Sequence, residues 1–264
     1  MNTSDNRLAA SIPHTVVIGG AKGGGRAWAR LAELKGRRVT VVGRTAPERG
    51  LGPGVAFERC DLSRKGAAAS LCARLVKKGP LDSLVFFQRF RGGGDPWDGE
   101  LSVSLTATKT LIEGLSRRFA PEGSRSIVVV GSNAGRLVAD EQPASYHVAK
   151  AALIQLMRYY AVTLGPSGVR VNAVSSGTLV KEESAAFYAS QPRLRALYER
   201  VIPLGRMGRS EDVAGAVEFL CGPQASFITG QELVVDGGVS LLMQESLARG
   251  LALPSVRVTR SRKK

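Results

Sequence analysis

Tyr146 and Lys150 stand four residues apart in the stretch Tyr146-His147-Val148-Ala149-Lys150, which runs on through Ala151, Ala152, Leu153, Ile154 and Leu156. Helix formers dominate and the apolar positions recur at helical spacing, which predicts a helix over residues 144–164. Residues four apart share one helix face, so a phenol and an ammonium project the same way, one turn apart. A nearby ammonium favours phenolate, and such a phenol can donate and accept a proton near neutral pH. Taken alone, the pair describes an ordinary amphipathic helix better than a site. Other stretches of the chain change that balance.

Upstream, Thr15-Val16-Val17-Ile18 is a short β-branched run of the kind buried inside a parallel sheet. It leads into Gly19-Gly20-Ala21-Lys22-Gly23-Gly24-Gly25-Arg26, and helix formers follow over residues 27–34. Strand, glycine turn and helix in that order place a dinucleotide pyrophosphate on backbone N–H groups at a helix N-terminus. A second strand over residues 37–44 ends at Gly43-Arg44-Thr45, where an acidic residue would hold the ribose 2′-hydroxyl of NAD. A guanidinium suits a 2′-phosphate instead, and Lys22 adds a second cation. These residues predict NADP(H). The plain alternative for Arg44 is one more surface arginine in an arginine-rich chain.

The spacing Gly19-x-x-x-Gly23-x-Gly25, with Tyr146-x-x-x-Lys150 downstream, resembles the short-chain dehydrogenase/reductase family, from about residue 15 to residue 239. Residues 201–208, Glu211-Asp212-Val213-Ala214 and Val235-Asp236-Gly237-Gly238 are similar to its 3-oxoacyl-carrier-protein reductase-like members. The resemblance implies an α/β fold: a single-domain Rossmann-type doubly wound parallel sheet flanked by helices on both faces. The cofactor half would span about residues 14–125 and the catalytic and substrate half about residues 126–240. The resemblance implies a ketoreductase, with Ser132 (within Ser132-Asn133-Ala134-Gly135), Tyr146 and Lys150 catalytic. Ser104 falls where many members carry an Asn that holds a relay water.

Cofactor contacts are implied for Gly19, Ala21, Lys22, Gly23, Gly24, Gly25, Arg44 and Thr45, and for Asp61 and Leu62 at the adenine. Tyr146 and Lys150 would meet the nicotinamide ribose, and Ser176, Gly177 and Leu179 the nicotinamide end. A small-molecule carbonyl or an acyl-carrier or CoA-bound substrate follows from the resemblance, as does a homotetramer or homodimer. Several positions depart from the family pattern. Phe86-Phe87-Gln88-Arg89 stands where Asn-Asn-Ala-Gly is usual, Ser176 replaces a proline, and Lys181 lies near an expected threonine. Phe86 and Phe87 read as core filling, and Lys181 as a phosphate cation or a solvated loop lysine. These departures keep open a second reading, a cofactor-binding protein of the same fold whose chemistry is lost or altered.

Composition sets the frame. The 264 residues, 44% of them hydrophobic, suffice for one sizeable α/β unit. No apolar run approaches the roughly 18 residues of a membrane span, so no membrane is expected. Residues 1–13 are polar and carry no signal-peptide pattern, which with three scattered cysteines points to a cytoplasmic location. The cysteines show no metal-ligand spacing and no metal is predicted. The net charge of +15 is unusual, and residues 257–264 hold five of the basic residues and no acid. A generally basic surface, attraction to an anionic substrate or carrier, and nucleic-acid binding compete to explain it; no nucleic-acid motif accompanies the charge. Residues 241–264 read as an extension, with a short helix over 241–251 and a basic tail.

Overall fold

The computed structural model describes residues 12, 14–47 and 50–253. The basic tail, and all of the polar N-terminal segment but Ile12, lie outside the described residues. The chain opens with β1 (His14–Ile18), α1 (Gly23–Leu34), β2 (Arg38–Gly43), β3 (Val55–Arg59), α2 (Ala67–Val76) and β4 (Ser83–Phe86). Then come α3 (Pro96–Glu100), α4 (Ala107–Leu115), β5 (Ser126–Ser132), α5 (Ala144–Leu164), β6 (Arg170–Ser176) and β7 (Leu179–Val180). The last elements are α6 (Ala185–Ser190), α7 (Pro192–Val201), β8 (Gly208–Arg209), α8 (Ser210–Cys221), β9 (Glu232–Val235) and α9 (Gln244–Ala252).

Seven strands form one sheet in the order β3-β2-β1-β4-β5-β6-β9, and every pairing is parallel. Strand order reverses between β1 and β4, which makes the carboxyl ends of those strands the place where a crevice opens. Parallel strands must be covered on both faces, and the central strands β1, β4, β5 and β6 are accordingly buried along almost their whole length. Val16, Ile18, Leu84, Phe86 and Ile127 pack in one cluster with Leu71 of α2, Leu111 of α4 and Met157 of α5. Val17, Val41, Val85 and Val128 pack in the other with Trp28 of α1 and Val217 of α8. The doubly wound sheet expected from the resemblance is the architecture observed.

α5 spans the predicted residues; the helical stretch from α3 to α4, whose sequence spacing is helical throughout, is interrupted. Residues Leu101–Thr106 form a π-helical turn between α3 and α4. Gln88, from the loop after β4, donates its amide to Thr108 Oγ1 at 2.7 Å and to the Val103 carbonyl at 3.4 Å. Insertion of a side chain into the helical ladder is a recognised cause of such a turn, and π-turns concentrate at functional sites.

His14, at the base of β1, is buried and its Nε2 meets Thr40 Oγ1 at 3.0 Å. Burial, reinforced by Arg38 and Lys78, pushes its imidazole down from 6.5 to about 4. A histidine whose folded form resists protonation stabilises the fold above its unfolded pKa, and that contribution disappears as pH falls from 6.5 towards 4. His14→Gln should flatten this acid limb, worth up to about 3 kcal/mol, in urea unfolding followed across pH.

Candidate active site

A cavity of about 400 Å³ opens at the carboxyl ends of β1 and β4. Its floor is the turn between β1 and α1. Gly19 takes φ +81°, and a Cβ on it would lie 2.5 Å from the backbone nitrogen of Gln88. A Cβ on Gly25 would lie 2.7 Å from the Gly19 carbonyl oxygen. Close approach of backbone to backbone, rather than a loose loop, therefore demands these glycines. α1 begins at Gly23 with no acidic residue in its first turn, and its N-cap residue Lys22 contributes no capping bond from its side chain. The unfilled N–H groups of such a helix start favour an anion. Gly19, Ala21, Lys22, Gly23, Gly24 and Gly25 all line the cavity.

The wall beside β2 is formed by Arg44 and Thr45, followed by Asp61 and Leu62. Arg44 donates to the Arg91 carbonyl at 3.0 Å, which ties it to the loop after β4. Asp61 Oδ1 accepts from the Ser63 hydroxyl at 2.7 Å and the Ser63 N–H at 3.1 Å. Those bonds, together with Arg44 and Arg64, hold its carboxyl below the usual carboxylate range against the opposing effect of burial. Phe87 lines the cavity and would sit 3.1 Å from a Cβ on Gly24. Core filling is thus correct for Phe86, which is 2% exposed, while Phe87 packs against the core cluster that holds Trp28 and Val213 and also forms a wall of the site.

α5 carries Tyr146 and Lys150 into the other end of the cavity. Lys150 is buried and donates to the Val130 carbonyl of β5 at 2.9 Å; its Nζ lies 5.7 Å from the Tyr146 ring centroid. Burial pushes its ammonium down to about 8; Glu100 opposes that shift, and Arg89 and Lys181 add to it. Lys181 lines the same space and is lowered by burial too. His147 accepts from the Ala139 N–H at 2.9 Å through Nε2, so Nδ1, 3.1 Å from the Pro143 carbonyl, carries the proton. It pins the loop before α5 and has no place in the cavity lining.

Ser176 and Leu179 line the cavity, while Ser132, Ser104 and Gly177 do not. Ser132 ends β5, opposite Ser176 in the sheet register and one residue beyond the cavity-lining Gly131. Its Oγ accepts from the Ala134 N–H at 3.2 Å, which leaves the hydroxyl proton available. Ser104 is buried in the π-turn and donates to Glu100 Oε2 at 2.8 Å, so its proton goes to a carboxylate.

Sequence reasoning missed that carboxylate and the cation opposite it. Glu100 is 2% exposed, and Arg89 lies with its guanidinium carbon 4.5 Å from the Tyr146 ring centroid. The available signal was the Gln88-Arg89 departure: two long polar side chains replace small ones at a strand end that faces the crevice. Among the described residues no cluster could hold a metal ion, and no helix is long and apolar enough to cross a membrane.

Gly25→Ala should push the turn off the Gly19 carbonyl. We expect dinucleotide affinity to fall more than about tenfold in fluorescence titration while the circular dichroism spectrum is retained.

Residues 19–240 match the family model described as enoyl-(acyl carrier protein) reductase. Cis-4-hydroxycyclohexanecarboxylate dehydrogenase of Sinomonas cyclohexanicum is 34% identical over 84% of this chain and 94% of that protein. Dehydrogenase/reductase SDR family member 4 of Mus musculus is 35% identical, but the match covers 54% of this chain and half of the mouse protein. Among solved structures, a short-chain dehydrogenase/reductase from Serratia marcescens BCRC 10948 superposes with a TM-score of 0.73 at 29% identity, covering 86% of this chain and 98% of that one. Such proteins are oxidoreductases that use nicotinamide cofactors, and the chain belongs to the short-chain dehydrogenase/reductase family.

Proposed function

We propose that the protein is an NADP(H)-dependent ketoreductase that interconverts a carbonyl and a secondary alcohol through Ser132, Tyr146 and Lys150. The observation that carries this reading is that Tyr146 and Lys150 enter the same cavity as the glycine turn and Arg44. A proton donor thus stands at one end of a trough whose other end is built for anions.

The residues present fit that cofactor. Lys22, Arg44, Arg89, Arg91, Lys150 and Lys181 line the cavity against two carboxylates, Asp61 and Glu183. This excess of positive charge, of which Arg89 is only one part, suits a polyanion that carries a pyrophosphate and a 2′-phosphate. At the ribose position stands Arg44, and Asp61 is already committed to Ser63. The Gly19 and Gly25 contacts leave backbone N–H groups, with no intervening side chains, facing the pyrophosphate position.

When bound, NADPH supplies the hydride. Tyr146 donates its phenolic proton to the carbonyl oxygen and recovers it in the reverse direction. Ser132, with its hydroxyl proton uncommitted, bonds the same oxygen and steadies the charge that develops there. Lys150 would hold the ribose hydroxyls while its ammonium keeps its bond to the Val130 carbonyl of β5. Glu100 favours the ammonium, which burial, Arg89 and Lys181 disfavour.

The relative that acts on cis-4-hydroxycyclohexanecarboxylate supports a small alcohol or ketone as substrate ahead of an acyl carrier. A homodimer or homotetramer belongs to the same reading, because β9 ends the sheet and Phe227, Tyr159 and Val162 are exposed apolar surface that a second copy would cover. The engaged Ser104 hydroxyl favours the second reading, a protein that binds NADPH without turnover.

Two measurements test the chemistry and the cofactor of this reading. Tyr146→Phe should lower kcat by about 10²-fold or more while NADPH affinity stays within about threefold; full activity in that variant would remove the mechanism. Arg44→Asp should weaken NADPH binding by about tenfold or more and turn the preference towards NADH, as read by parallel titrations.

A further inference from the structure

Arg89 is the cation in the cavity whose charge the fold prepares most elaborately. It occupies a turn where the resemblance leads one to expect glycine, and a carboxylate buried beneath it, Glu100, accompanies it. Glu100 Oε2 is taken by the Ser104 hydroxyl at 2.8 Å and by the Phe90 N–H at 3.5 Å. Its Oε1 stands 3.9 Å from Arg89 Nε, close enough to anchor the charge and too far for a hydrogen bond. On the other side, the guanidinium carbon is 4.5 Å from the centre of the Tyr146 ring. Buried carboxylate and aromatic face together fix where the guanidinium sits.

The outer end of that guanidinium is under-used. Arg89 lines the cavity with 33% of its side chain exposed. Among the described residues its one hydrogen bond is a long one, from Nη2 to Gln142 Oε1 at 3.4 Å. An arginine offers five donors in a fixed fork, and a planar carboxylate is the acceptor that fork matches. The other cavity cations are placed differently. Arg91 is paired with Glu183 at 3.4 Å, Lys181 lies along Gly23 of the glycine turn, and Lys150 is bonded to Val130.

We propose that Arg89, held by Glu100, is the carboxylate-recognition residue of the substrate subsite, so that the substrate is a small oxo acid or hydroxy acid. The inference rests on the ketoreductase reading and narrows its substrate class. The carbonyl would lie at the Tyr146 hydroxyl and the carboxylate on the two Nη groups of Arg89, both within one small molecule because the guanidinium is stacked beside that ring. Gln142 would be displaced from its weak bond or shared.

The test compares acids with their esters, which differ only in the charge that Arg89 would read. Wild-type protein is assayed with NADPH on acetoacetate, 4-oxocyclohexanecarboxylate and their methyl esters. We expect kcat/KM to favour the acids by about 10- to 100-fold. Arg89→Gln should collapse that ratio to within about threefold of one, chiefly through KM for the acids, and Arg89→Lys, which keeps charge and loses the fork, should fall between. Binding of cyclohexanecarboxylate, which has no carbonyl to reduce, is measured in parallel by calorimetry on the NADPH complex of wild type and both variants. Saturable binding that Arg89→Gln abolishes, with no turnover of any carbonyl, would keep the subsite and remove the ketoreductase reading. Esters turned over as well as acids by wild type would overturn the proposal, as would an acid preference that survives Arg89→Gln. Absence of cyclohexanecarboxylate binding would also overturn it, and if NADPH affinity fell in Arg89→Gln at the same time, Arg89 would be assigned to the cofactor.

Discussion

One hydrogen bond, from the buried ammonium of Lys150 to the carbonyl oxygen of Val130, ties α5 to the sheet. β5 has a parallel neighbour on each side, so its carbonyls are mostly spent within the ladder. At Val130 the strand has outrun β4, whose register with β5 stops at Phe86 and Val129. The Val130 oxygen therefore reaches the crevice at the switch point, where a side chain rather than a strand must satisfy it. Lys150 does so, and the bond sets the position of α5 along the sheet. Tyr146, one turn earlier on the same face, is thereby delivered to the cavity mouth.

That arrangement costs desolvation of an ammonium, visible as the fall of Lys150 to about 8. The fold does not answer this cost with a direct ion pair. Glu100 stabilises the ammonium at a distance, while Arg89 and Lys181 work against it. A cavity lined by this excess of positive charge, with Lys150 buried within it, suits anions. The same feature explains why the glycine turn, Arg44 and the lysines form one device: each supplies donors that only a polyanion uses together.

Much of this was legible in the sequence. Glycines at 19 and 25 mark backbone contacts too close for a Cβ, Gly23 is set apart by its φ of +53° instead, and the Tyr146 and Lys150 spacing survives as geometry because a helix converts spacing into direction. α5 was readable to its ends for the same reason: a long run of helix formers leaves little for tertiary contacts to override. The interruption at Leu101–Thr106 was not readable. Residues 100–119 have helical spacing throughout, and the π-turn coincides with the Gln88 amide arriving from a separate loop. The place of Ser132 at the strand end, next to the cavity lining rather than in it, was equally hidden, because motif spacing counts residues and not the direction in which a strand-end side chain turns.

The Arg89 and Glu100 pair shows why isolated departures from a family pattern mislead when taken singly. A buried Glu100 without a cation would be a costly charge, and an arginine at residue 89 without Glu100 would swing freely at the crevice mouth. Eleven residues apart in sequence, neither announces the other; the loop after β4 and the turn at Leu101–Thr106 bring them together. Gln88 belongs to the same set, since its amide bonds hold the turn in which Glu100 and Ser104 meet. Read as three separate losses, these substitutions argue for decay of a site. Read through their contacts, Gln88 braces the turn, Ser104 and the Phe90 N–H orient the carboxylate, and the carboxylate anchors a guanidinium beside the Tyr146 ring. Decay would have no reason to leave a buried charge with its partner in place, whereas a change of substrate would require both at once.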